Sequence, residues 1–463
     1  MGTPPRWPIE DACFWLARAP REGVTPLRGR ASADVVVVGA GLTGLWTALH
    51  LKALQPGLHV VVLEQGVSAF GASGRNAGIL TETIDHSHAL AVSHFGEAEA
   101  RKLAVLGRDN VREMLAFLAH RGIECDLARS GQLHVALNEA QERDLGSMLE
   151  TARRLGVDHY RLLSRSEAQA EIHSPRYRAA LFNPNAVMLD PVKLVRGLAA
   201  EARRAGVEIF EGTRVLGFED DGRRVRVGTA AGEVEARRVV LATNAYSHLL
   251  LKRLRFRFIP FYDYILVSEP LTPAQRKAIG WRGRQGVTDG RTFFNYYRLT
   301  PDDRVLWGTS EAAYHPGNRV DESCDHSERH YRELRQSFAW HFPDVGDVAF
   351  PYAWGGPICA TTRFTPFLGS AYGGRLHYGL GYTGHGLGTT HLAGKVLAHL
   401  AADRPTPLFD LALFRRKPFP YPPEPLRSMA VSAVTRALRR VDAGGRPGPL
   451  LRILDAMGIG LSS

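Results

Sequence analysis

Three glycines and one acidic residue near the N-terminus point most directly to a chemistry. In Asp34–Gly44, DVVVVGAGLTG, an apolar run ends at a turn that contains Gly39, Gly41 and Gly44. These positions allow a tight turn, close approach of the backbone to a pyrophosphate, and close packing of a helix on the strand. Glu64 ends a second apolar run about twenty residues further on, where a carboxylate accepts ribose hydroxyls. The pattern predicts a βαβ unit that binds an ADP group at a helix N-terminus.

A second loop of small residues distinguishes between two cofactors. Phe70–Gly78, FGASGRNAG, follows the second strand and contains few large side chains. A domain that binds only NAD has no need of such a loop. A flavin that lies extended across the domain needs backbone amides and small side chains beside its pyrophosphate, ribityl chain and ring. We therefore expect FAD; the alternative is a surface loop rich in glycine and serine.

Length and cysteine content limit the class of protein. The chain has 463 residues, enough for two domains. Its four cysteines, at positions 13, 125, 324 and 359, form no CxxC pair, which argues against a metal site or a disulfide framework. The N-terminal stretch MGTPPRWPIEDACFW has no apolar signal region, and no apolar run approaches membrane-spanning length. We expect a cytoplasmic enzyme with no transmembrane segment.

The net charge is +11, and arginine contributes most of the positive charge. Because no lysine-rich tract is interleaved with aromatic residues, we expect no nucleic-acid partner. Two interpretations of the charge stay open: attraction of an anionic substrate, and a solvated arginine-rich surface.

The rest of the chain alternates helices with strands. Residues 92–121 and Glu139–Leu155 are predicted helices on either side of a strand at Gln132–Leu137. Asp190–Ala205 is a predicted helix in which Asp190 is the N-cap and proline occupies the first helical position. A meander follows it and ends in a buried strand at Val239–Leu241, which we expect to return to the first sheet.

The region 259–365 is rich in aromatic residues on alternating strands. This pattern predicts an antiparallel sheet that either covers something flat, such as a substrate cavity, or forms a core alone. Residues 376–400 are predicted as a strand, a glycine-rich loop and a helix. A proline-rich linker and an amphipathic stretch at Leu426–Val441 follow.

Taken in order, these segments resemble the FAD-dependent amine and amino-acid oxidase superfamily, which includes glycine oxidase, D-amino-acid oxidase and sarcosine oxidase. Within it they look most similar to the bacterial gamma-glutamylputrescine oxidases. The resemblance covers nearly the whole chain. It rests on the motifs VVVVGAGLTGLWTALHL, FGASGRNAG, NYYRLTPDDRVLWG (Asn295–Gly308), WGGPICATTRFTPFLG (Trp354–Gly369) and GYTGHGLGTTHLAGKVLA (Gly381–Ala398).

The resemblance implies an α/β fold of two domains with the flavin ring between them. A Rossmann-like FAD-binding domain would combine residues 31–85, 186–258 and 366–405. A substrate domain with a large mixed or antiparallel sheet would combine 86–185 and 259–365. Residues 1–30 would form an N-terminal lead-in and 406–463 a C-terminal extension.

The motifs also suggest candidate site residues. For the cofactor these are Gly39, Ala40, Gly41, Leu42, Thr43, Gly44, Glu64, Gln65, Gly71, Ala72, Ser73, Arg75, Asn76, Ala77, Gly78, Val215, Thr243, Asn244, Gly384, His385, Gly386, Leu387, Gly388 and Thr389. The predicted catalytic residues are Tyr297, Tyr382 and His385, and the predicted substrate-binding residues are Tyr264, Arg298, Trp354 and Arg363.

Several of these assignments have alternatives. His385 would hydrogen-bond the ring or the substrate, or it is a structural loop residue. Arg298 or Arg363 would bind the anionic end of a substrate, or both form structural ion pairs. The amides of Gly386 and Leu387 would stabilise negative charge on the flavin at the start of a helix predicted over Thr389–Leu400.

Two positions depart from sarcosine-oxidising relatives. Those proteins place a lysine for oxygen activation where this chain has Leu306, which puts fast reaction with O2 in doubt. They attach the flavin through a cysteine where a gapless match puts Gly356, although Cys359 is near. We therefore expect noncovalent FAD.

The resemblance implies an oxidoreductase that acts on the C–N bond of a primary or secondary amine with an anionic end. A hydride passes to flavin N5, water hydrolyses the imine, and O2 reoxidises the cofactor. The alternative is a D-amino-acid or N-methyl-amino-acid dehydrogenase that passes electrons to a quinone. A flavin-binding protein with a structural or regulatory role is a third interpretation. The identity of the amine and the oligomeric state stay open.

Overall fold

The apolar runs of the sequence become the central strands of the first of two large sheets. The structure is a computed structural model that describes residues 8–20, 23–456 and 458–459. The first sheet has eight strands and is mostly parallel through its centre. In spatial order its main path is Phe367–Ala371, Leu376–Leu380, Gly232–Leu241, Gly29–Val38, Val60–Leu63 and Glu208–Phe210. Val225–Thr229 and Val215–Asp220 extend it as an antiparallel meander on Gly232–Leu241.

The second sheet also has eight strands and is antiparallel except for one pair. Its spatial order is Tyr352–Ala360, Ile259–Pro270, Arg304–Tyr314, Asn295–Leu299, Gly286–Asp289, Gln132–Ala136, Ala179–Asn183 and Arg161–Leu163. Ile79–Leu80 and Val187–Met188 form a separate two-stranded ribbon. Side chains on these strands alternate between two faces, so one face packs on a core and the other is free to line a site.

The α-helices surround both sheets. They are Ile9–Ala12, Phe14–Ala17, Leu42–Leu54, Ala72–Arg75, His88–Phe95, Glu97–Arg121, Glu139–Arg154, Arg165–Glu171, Pro191–Arg204, Ser247–Leu250, Pro273–Ile279, Glu328–His341, Gly386–Ala401, Ala412–Arg415, Leu426–Asp442 and Pro449–Ala456.

The predicted α/β class with two large sheets is confirmed. The predicted N-cap is also observed, since Asp190 Oδ1 accepts the backbone N–H groups of Val192 at 2.8 Å and Lys193 at 3.0 Å. The helix predicted over 92–121 is broken at Gly96, which has φ of 83° and separates two helices. The helix after the C-terminal glycine loop begins at Gly386, earlier than expected.

The strands of the first sheet lie within 29–63, 208–241 and 367–380, and those of the second within 132–183 and 259–360. The domain boundaries implied by the resemblance stay predictions, because strand positions locate sheets and not domain limits. Part of the N-terminal lead-in packs tightly. Phe14 and Trp15 are buried, and Trp15 donates its indole N–H to the Asn76 carbonyl at 3.0 Å.

Candidate active site

A cavity of about 1320 Å³ extends from the glycine turn of the first sheet to one face of the second sheet. At one end it is lined by the turn, by Glu64 and by Val215. Its middle is lined by the loop that contains Arg75 and by the 384–388 loop. The other end is lined by strands of the second sheet and by the helix Leu426–Asp442.

The glycine turn depends on close backbone contacts. Gly39 has φ of 106°, a left-handed conformation that favours glycine. A Cβ on Gly44 would lie 1.9 Å from the Gly39 carbonyl oxygen, so only glycine lets the helix sit this close to the strand. A Cβ on Gly41 would lie 2.8 Å from Ser73 Oγ. At position 41 the backbone therefore lines the cavity without a side chain.

Glu64 organises the turn from the next strand. Its Oε2 accepts the Ala40 N–H and its Oε1 accepts the Gly66 N–H, both at 2.9 Å. Burial raises the pKa of this carboxyl, and the two N–H groups oppose the rise. Since Glu64 also lines the cavity, its remaining lone pairs are available to hydroxyl groups placed there.

The second small-residue loop places Arg75 at the middle of the cavity. Its Nη1 pairs with Asp325 Oδ1 at 2.9 Å, and its Nε donates to the Phe70 carbonyl at 2.8 Å. Its buried Nη2 has no hydrogen-bond partner among the described residues. Trp354 also lines the cavity beside Arg75 and donates its indole N–H to the Arg75 carbonyl at 3.0 Å.

His385 stands beside the N-terminus of the helix Gly386–Ala401. Its Nε2 lies 2.8 Å from Thr81 Oγ1 and 2.7 Å from Thr83 Oγ1. Burial, with the nearby histidines, lowers its pKa to about 3. The imidazole is therefore neutral at neutral pH, where it acts as a hydrogen-bonding group and not as a cation. Tyr382 also lines the cavity, and its hydroxyl accepts a hydrogen bond from Thr43 Oγ1 at 2.9 Å.

One face of the second sheet lines the far end. Alternate residues of the strand Ile259–Pro270, namely Phe261, Asp263 and Ile265, face the cavity. Tyr296, on Asn295–Leu299, faces the same way and donates its hydroxyl hydrogen to Asp263 Oδ2 at 2.7 Å. Gly308 makes this possible, because a Cβ there would lie 2.3 Å from the Tyr296 ring.

Two aromatic residues predicted for the site lie on the opposite face. Tyr297 is fully buried, stacks on Trp307 at 4.0 Å and shares a short hydroxyl contact with Tyr177. Tyr264 donates to the Cys324 carbonyl at 3.1 Å and stacks on His330. Side chains alternate between the two faces of a strand, so Tyr264 and Tyr297 point away from the cavity while their neighbours Asp263 and Tyr296 line it. The catalytic and substrate roles predicted for Tyr297 and Tyr264 gain no support from this position.

The two arginines predicted for the substrate also lie outside the cavity lining. Arg298 shares the face of Tyr296 but is fully buried under the first sheet's domain. Its Nη1 donates to the carbonyls of Leu189 at 2.8 Å, Gly78 at 3.0 Å and Ala77 at 3.3 Å. Arg363 is buried, and its Nη2 donates to the Leu413 carbonyl at 3.3 Å. Arg298 is directed at main-chain oxygens, and the predicted anion-binding role gains no support from its position. The buried Nε and Nη1 of Arg363 have no hydrogen-bond partner among the described residues, and its predicted role stays a prediction.

Most predicted cofactor residues do line the cavity. They are Gly39, Gly41, Leu42, Thr43, Glu64, Gln65, Gly71, Ala72, Ser73, Arg75, Asn76, Ala77, Val215, Thr243, Asn244, Gly384, His385, Gly386, Leu387 and Gly388. The four others do not line the cavity but contact residues nearby. The Ala40 N–H donates to Glu64, and Thr389 Oγ1 donates to the Ile84 carbonyl at 3.1 Å. Gly44 and Gly78 pack closely on neighbouring backbone.

Sequence reasoning missed two groups of lining residues. The first is Asp263, for which the signal was an acid between two tyrosines on a strand. Its partner Tyr296 belongs to the aromatic residues expected on this sheet but was not chosen as a site residue. The second is one face of Leu426–Asp442, which contributes residues at helical spacing: Arg427, Ala430, Val431, Val434, Thr435 and Leu438. Asp442 anchors the end of this helix by accepting the N–H groups of Thr292 at 2.7 Å and Phe293 at 2.9 Å.

The departures from sarcosine-oxidising relatives are also located. Cys359 is fully buried on the side of its strand away from the cavity, and burial raises the pKa of its thiol. Its neighbours Ile358 and Ala360 line the cavity instead, as does Gly356. Leu306 is fully buried in the core. Among the cavity-lining residues that the structure describes, none is a lysine.

Comparisons with known proteins agree with this architecture. Residues 34–400 match the family described as FAD dependent oxidoreductase. A probable oxidoreductase, OrdL, of Haemophilus influenzae is 30% identical over 83% of this chain and 87% of its own length. Gamma-glutamylputrescine oxidoreductase of Escherichia coli is 31% identical over 84% of this chain and 88% of its own. The structure of glycine oxidase from Geobacillus kaustophilus superposes with a TM-score of 0.69 at 21% identity, over 83% of this chain and 99% of that one.

The fold and the cavity define a flavoprotein oxidoreductase. The chain belongs to the FAD dependent oxidoreductase family, and its relatives include a gamma-glutamylputrescine oxidoreductase and glycine oxidases. Within the described ranges, no helix is both long enough and apolar enough to cross a membrane.

The cavity fits an FAD molecule. The bare backbone at Gly41 would accommodate the pyrophosphate at the start of Leu42–Leu54, and Glu64 would accept ribose hydroxyls. The buried Arg75 Nη2 offers a hydrogen-bond donor toward the middle of the cavity. The N-terminus of Gly386–Ala401 supplies a positive dipole end where the ring would lie.

Proposed function

We propose that the protein oxidises the C–N bond of a small primary or secondary amine with noncovalent FAD. The observation that carries this proposal is the continuous cavity, which joins a dinucleotide end to a sheet face bearing an acid and aromatic residues. The likeness to a gamma-glutamylputrescine oxidoreductase supports an amine as the substrate class.

FAD held by the residues of this cavity would supply the oxidising chemistry, as the acceptor of a hydride from the carbon next to the nitrogen. The protein positions the amine and excludes water. Trp354 and Ile265 provide apolar surface, and Tyr296 with Asp263 provides the polar contact. His385 offers a neutral imidazole. The amides at the start of Gly386–Ala401 favour negative charge on the adjacent ring. Water then hydrolyses the imine to a carbonyl compound and the released amine or ammonia.

An anionic end of the substrate, as expected from the resemblance, stays part of this proposal with different contacts. Arg298 and Arg363 bind main-chain carbonyls, and Arg291 in the cavity wall pairs with Asp289 at 2.6 Å. The polar groups that could meet an anionic end include the buried Arg75 Nη2, which has no hydrogen-bond partner among the described residues. They also include neutral groups such as Gln132 and the pair Thr288–His134, which would bind an anion through hydrogen bonds and not through net charge.

For the electron acceptor, O2 is the first candidate and a quinone the second. The absence of lysine from the described cavity lining favours the second, because the resemblance associates fast reaction with O2 with a lysine. The alternative substrate class that accompanies a quinone is a D-amino acid or an N-methyl amino acid.

The test is an anaerobic screen of purified, yellow protein. Amines and amino acids are added without O2 and scored by bleaching of the flavin absorbance, and the reduced protein is then mixed with O2 or with a soluble quinone. We expect bleaching by an amine and release of FAD on acid precipitation. Flavin that stays with the precipitated polypeptide contradicts noncovalent binding, and failure of every amine to bleach contradicts the amine assignment.

A further inference from the structure

Among the charged side chains that line the cavity, two arginines pair with carboxylates. Arg75 pairs with Asp325 at 2.9 Å, and Arg291 pairs with Asp289 at 2.6 Å. Glu64 accepts two backbone N–H groups. Asp263 has no cationic partner among the described residues, although it lies on the enclosed sheet face.

One side-chain hydrogen bond orients the Asp263 carboxylate. Its Oδ2 accepts the Tyr296 hydroxyl at 2.7 Å, which is the only side-chain hydrogen bond to this carboxylate within the described chain. Its neighbours on the cavity face are the apolar Phe261 and Ile265. On the adjoining strand it stands opposite Gly356, where a Cβ would lie 3.2 Å from Arg75 Cδ. Burial raises the pKa of this carboxyl to about 6, against the hydrogen bond from Tyr296, which lowers it.

We propose that Asp263, oriented by Tyr296, is a subsite for the ammonium group of the substrate and selects amines that carry a positive charge. This inference deepens the proposed function and rests on it. The ligand class is a primary or secondary alkylammonium ion whose alkyl part packs on the apolar wall. Before oxidation the bound ammonium group must give up one proton, which passes to the Asp263 carboxylate and leaves the neutral amine.

The physical reason is the cost of an enclosed charge. A carboxylate removed from water without a cation is destabilised, so it either takes up a proton or gains a partner. An ammonium ion supplies the partner and restores charge-assisted hydrogen bonds that the free site lacks. A neutral ligand of the same shape does neither, and an anion adds repulsion. Charge therefore discriminates here more strongly than shape.

Two ligands of matched shape test this on the FAD-loaded protein. tert-Butylammonium has no hydrogen on its α carbon and cannot be oxidised, and tert-butanol is its neutral counterpart. Calorimetry is used to measure both dissociation constants in the unmodified protein and in Asp263→Asn. We expect the unmodified protein to bind the cation at least about tenfold more tightly than the alcohol, and Asp263→Asn to lose this preference.

Two further variants serve as controls. Tyr264→Phe changes the next residue of the same strand, on the opposite face, and is expected to keep the cation preference. Asp263→Glu retains the charge one methylene further out and is expected to keep part of the preference. If Asp263→Asn does not fold, the ratio in the unmodified protein and in Asp263→Glu decides the question.

The results separate this inference from the proposed function. Equal affinities in the unmodified protein, or a preference that persists in Asp263→Asn, overturn the ammonium subsite even if amines bleach the flavin. A cation preference that depends on Asp263, in a protein whose flavin no amine bleaches, keeps the subsite and overturns the oxidase proposal.

Discussion

The two ends of the cavity are built from different parts of the polypeptide. The end proposed to bind the dinucleotide is formed by glycine backbone, N–H groups and the Glu64 carboxylate. The paired strands Gly29–Val38 and Val60–Leu63 position these groups. At the substrate end, side chains such as Asp263, Tyr296 and Trp354 project from one face of a sheet. A site built from backbone needs particular residue types at fixed spacing. A site built from side chains needs only the correct face, so many sequences satisfy it.

The largest effect is expected at the backbone-built end. In Gly44→Ala the new Cβ would lie 1.9 Å from the Gly39 carbonyl oxygen, so the helix must move away from the strand. We expect a loss of about 3 kcal/mol or more in unfolding free energy, together with loss of FAD. Chemical denaturation and flavin content measure both. Gly57→Ala, where a Cβ would meet nothing within 4 Å, is the control and should be near neutral.

Glu64→Ala tests the same end through cofactor affinity. The substitution removes the acceptor for the Ala40 and Gly66 N–H groups and, by our proposal, for the ribose hydroxyls. Since hydrogen bonds to a charged group contribute about 1.5–3 kcal/mol each, we expect FAD to bind about a hundredfold more weakly. The turnover rate of the reconstituted protein should stay within about twofold of normal. Equal FAD affinity in this variant and in the exposed Glu219→Ala would remove Glu64 from the cofactor site.

Arg298→Met separates a structural arginine from a substrate-binding one. It leaves the carbonyls of Ala77, Gly78 and Leu189 without their buried donor. We expect a loss of about 2 kcal/mol in unfolding free energy, with KM for the best amine unchanged in the folded protein. A large rise in KM with unchanged stability would instead return Arg298 to the substrate site.

Adjacent tyrosines compare the two faces of the second sheet. Tyr297→Phe removes the buried hydroxyl contact with Tyr177 and should cost about 1 kcal/mol of stability without changing KM. Tyr296→Phe removes the hydrogen bond that orients Asp263. It should raise KM for a cationic amine by about tenfold, with little effect on stability. Steady-state kinetics and thermal unfolding on both variants decide it. The reverse pattern would place the cavity on the other face.

The dinucleotide end was predictable from sequence because each element has a local cause. Gly39 needs its positive φ, Gly44 has no room for a Cβ, and Glu64 lies at the end of a strand next to the turn. The fold class followed from the same alternation of strands and helices. The C-terminal glycine loop was also located, although its helix begins at Gly386 and not at Thr389.

The substrate end was predicted only as an aromatic-rich sheet. Tyr264 and Tyr297 were favoured over their neighbours Asp263 and Tyr296, and the period of two along a strand makes that a choice of face. Nothing in the local sequence states which face meets the first sheet's domain. That depends on where the helix Glu328–His341 packs, since it covers Tyr264 and Tyr297.

The sequence by itself therefore determined the cofactor class, the family and the position of the glycine turn, because these depend on glycine conformation and short-range spacing. The tertiary structure alone decided which strand face lines the substrate cavity, that Arg298 and Arg363 bind main-chain carbonyls, and that Leu426–Asp442 forms part of the wall. Those features depend on contacts between residues far apart in the chain, and the energies of such contacts arise only when distant elements are packed together.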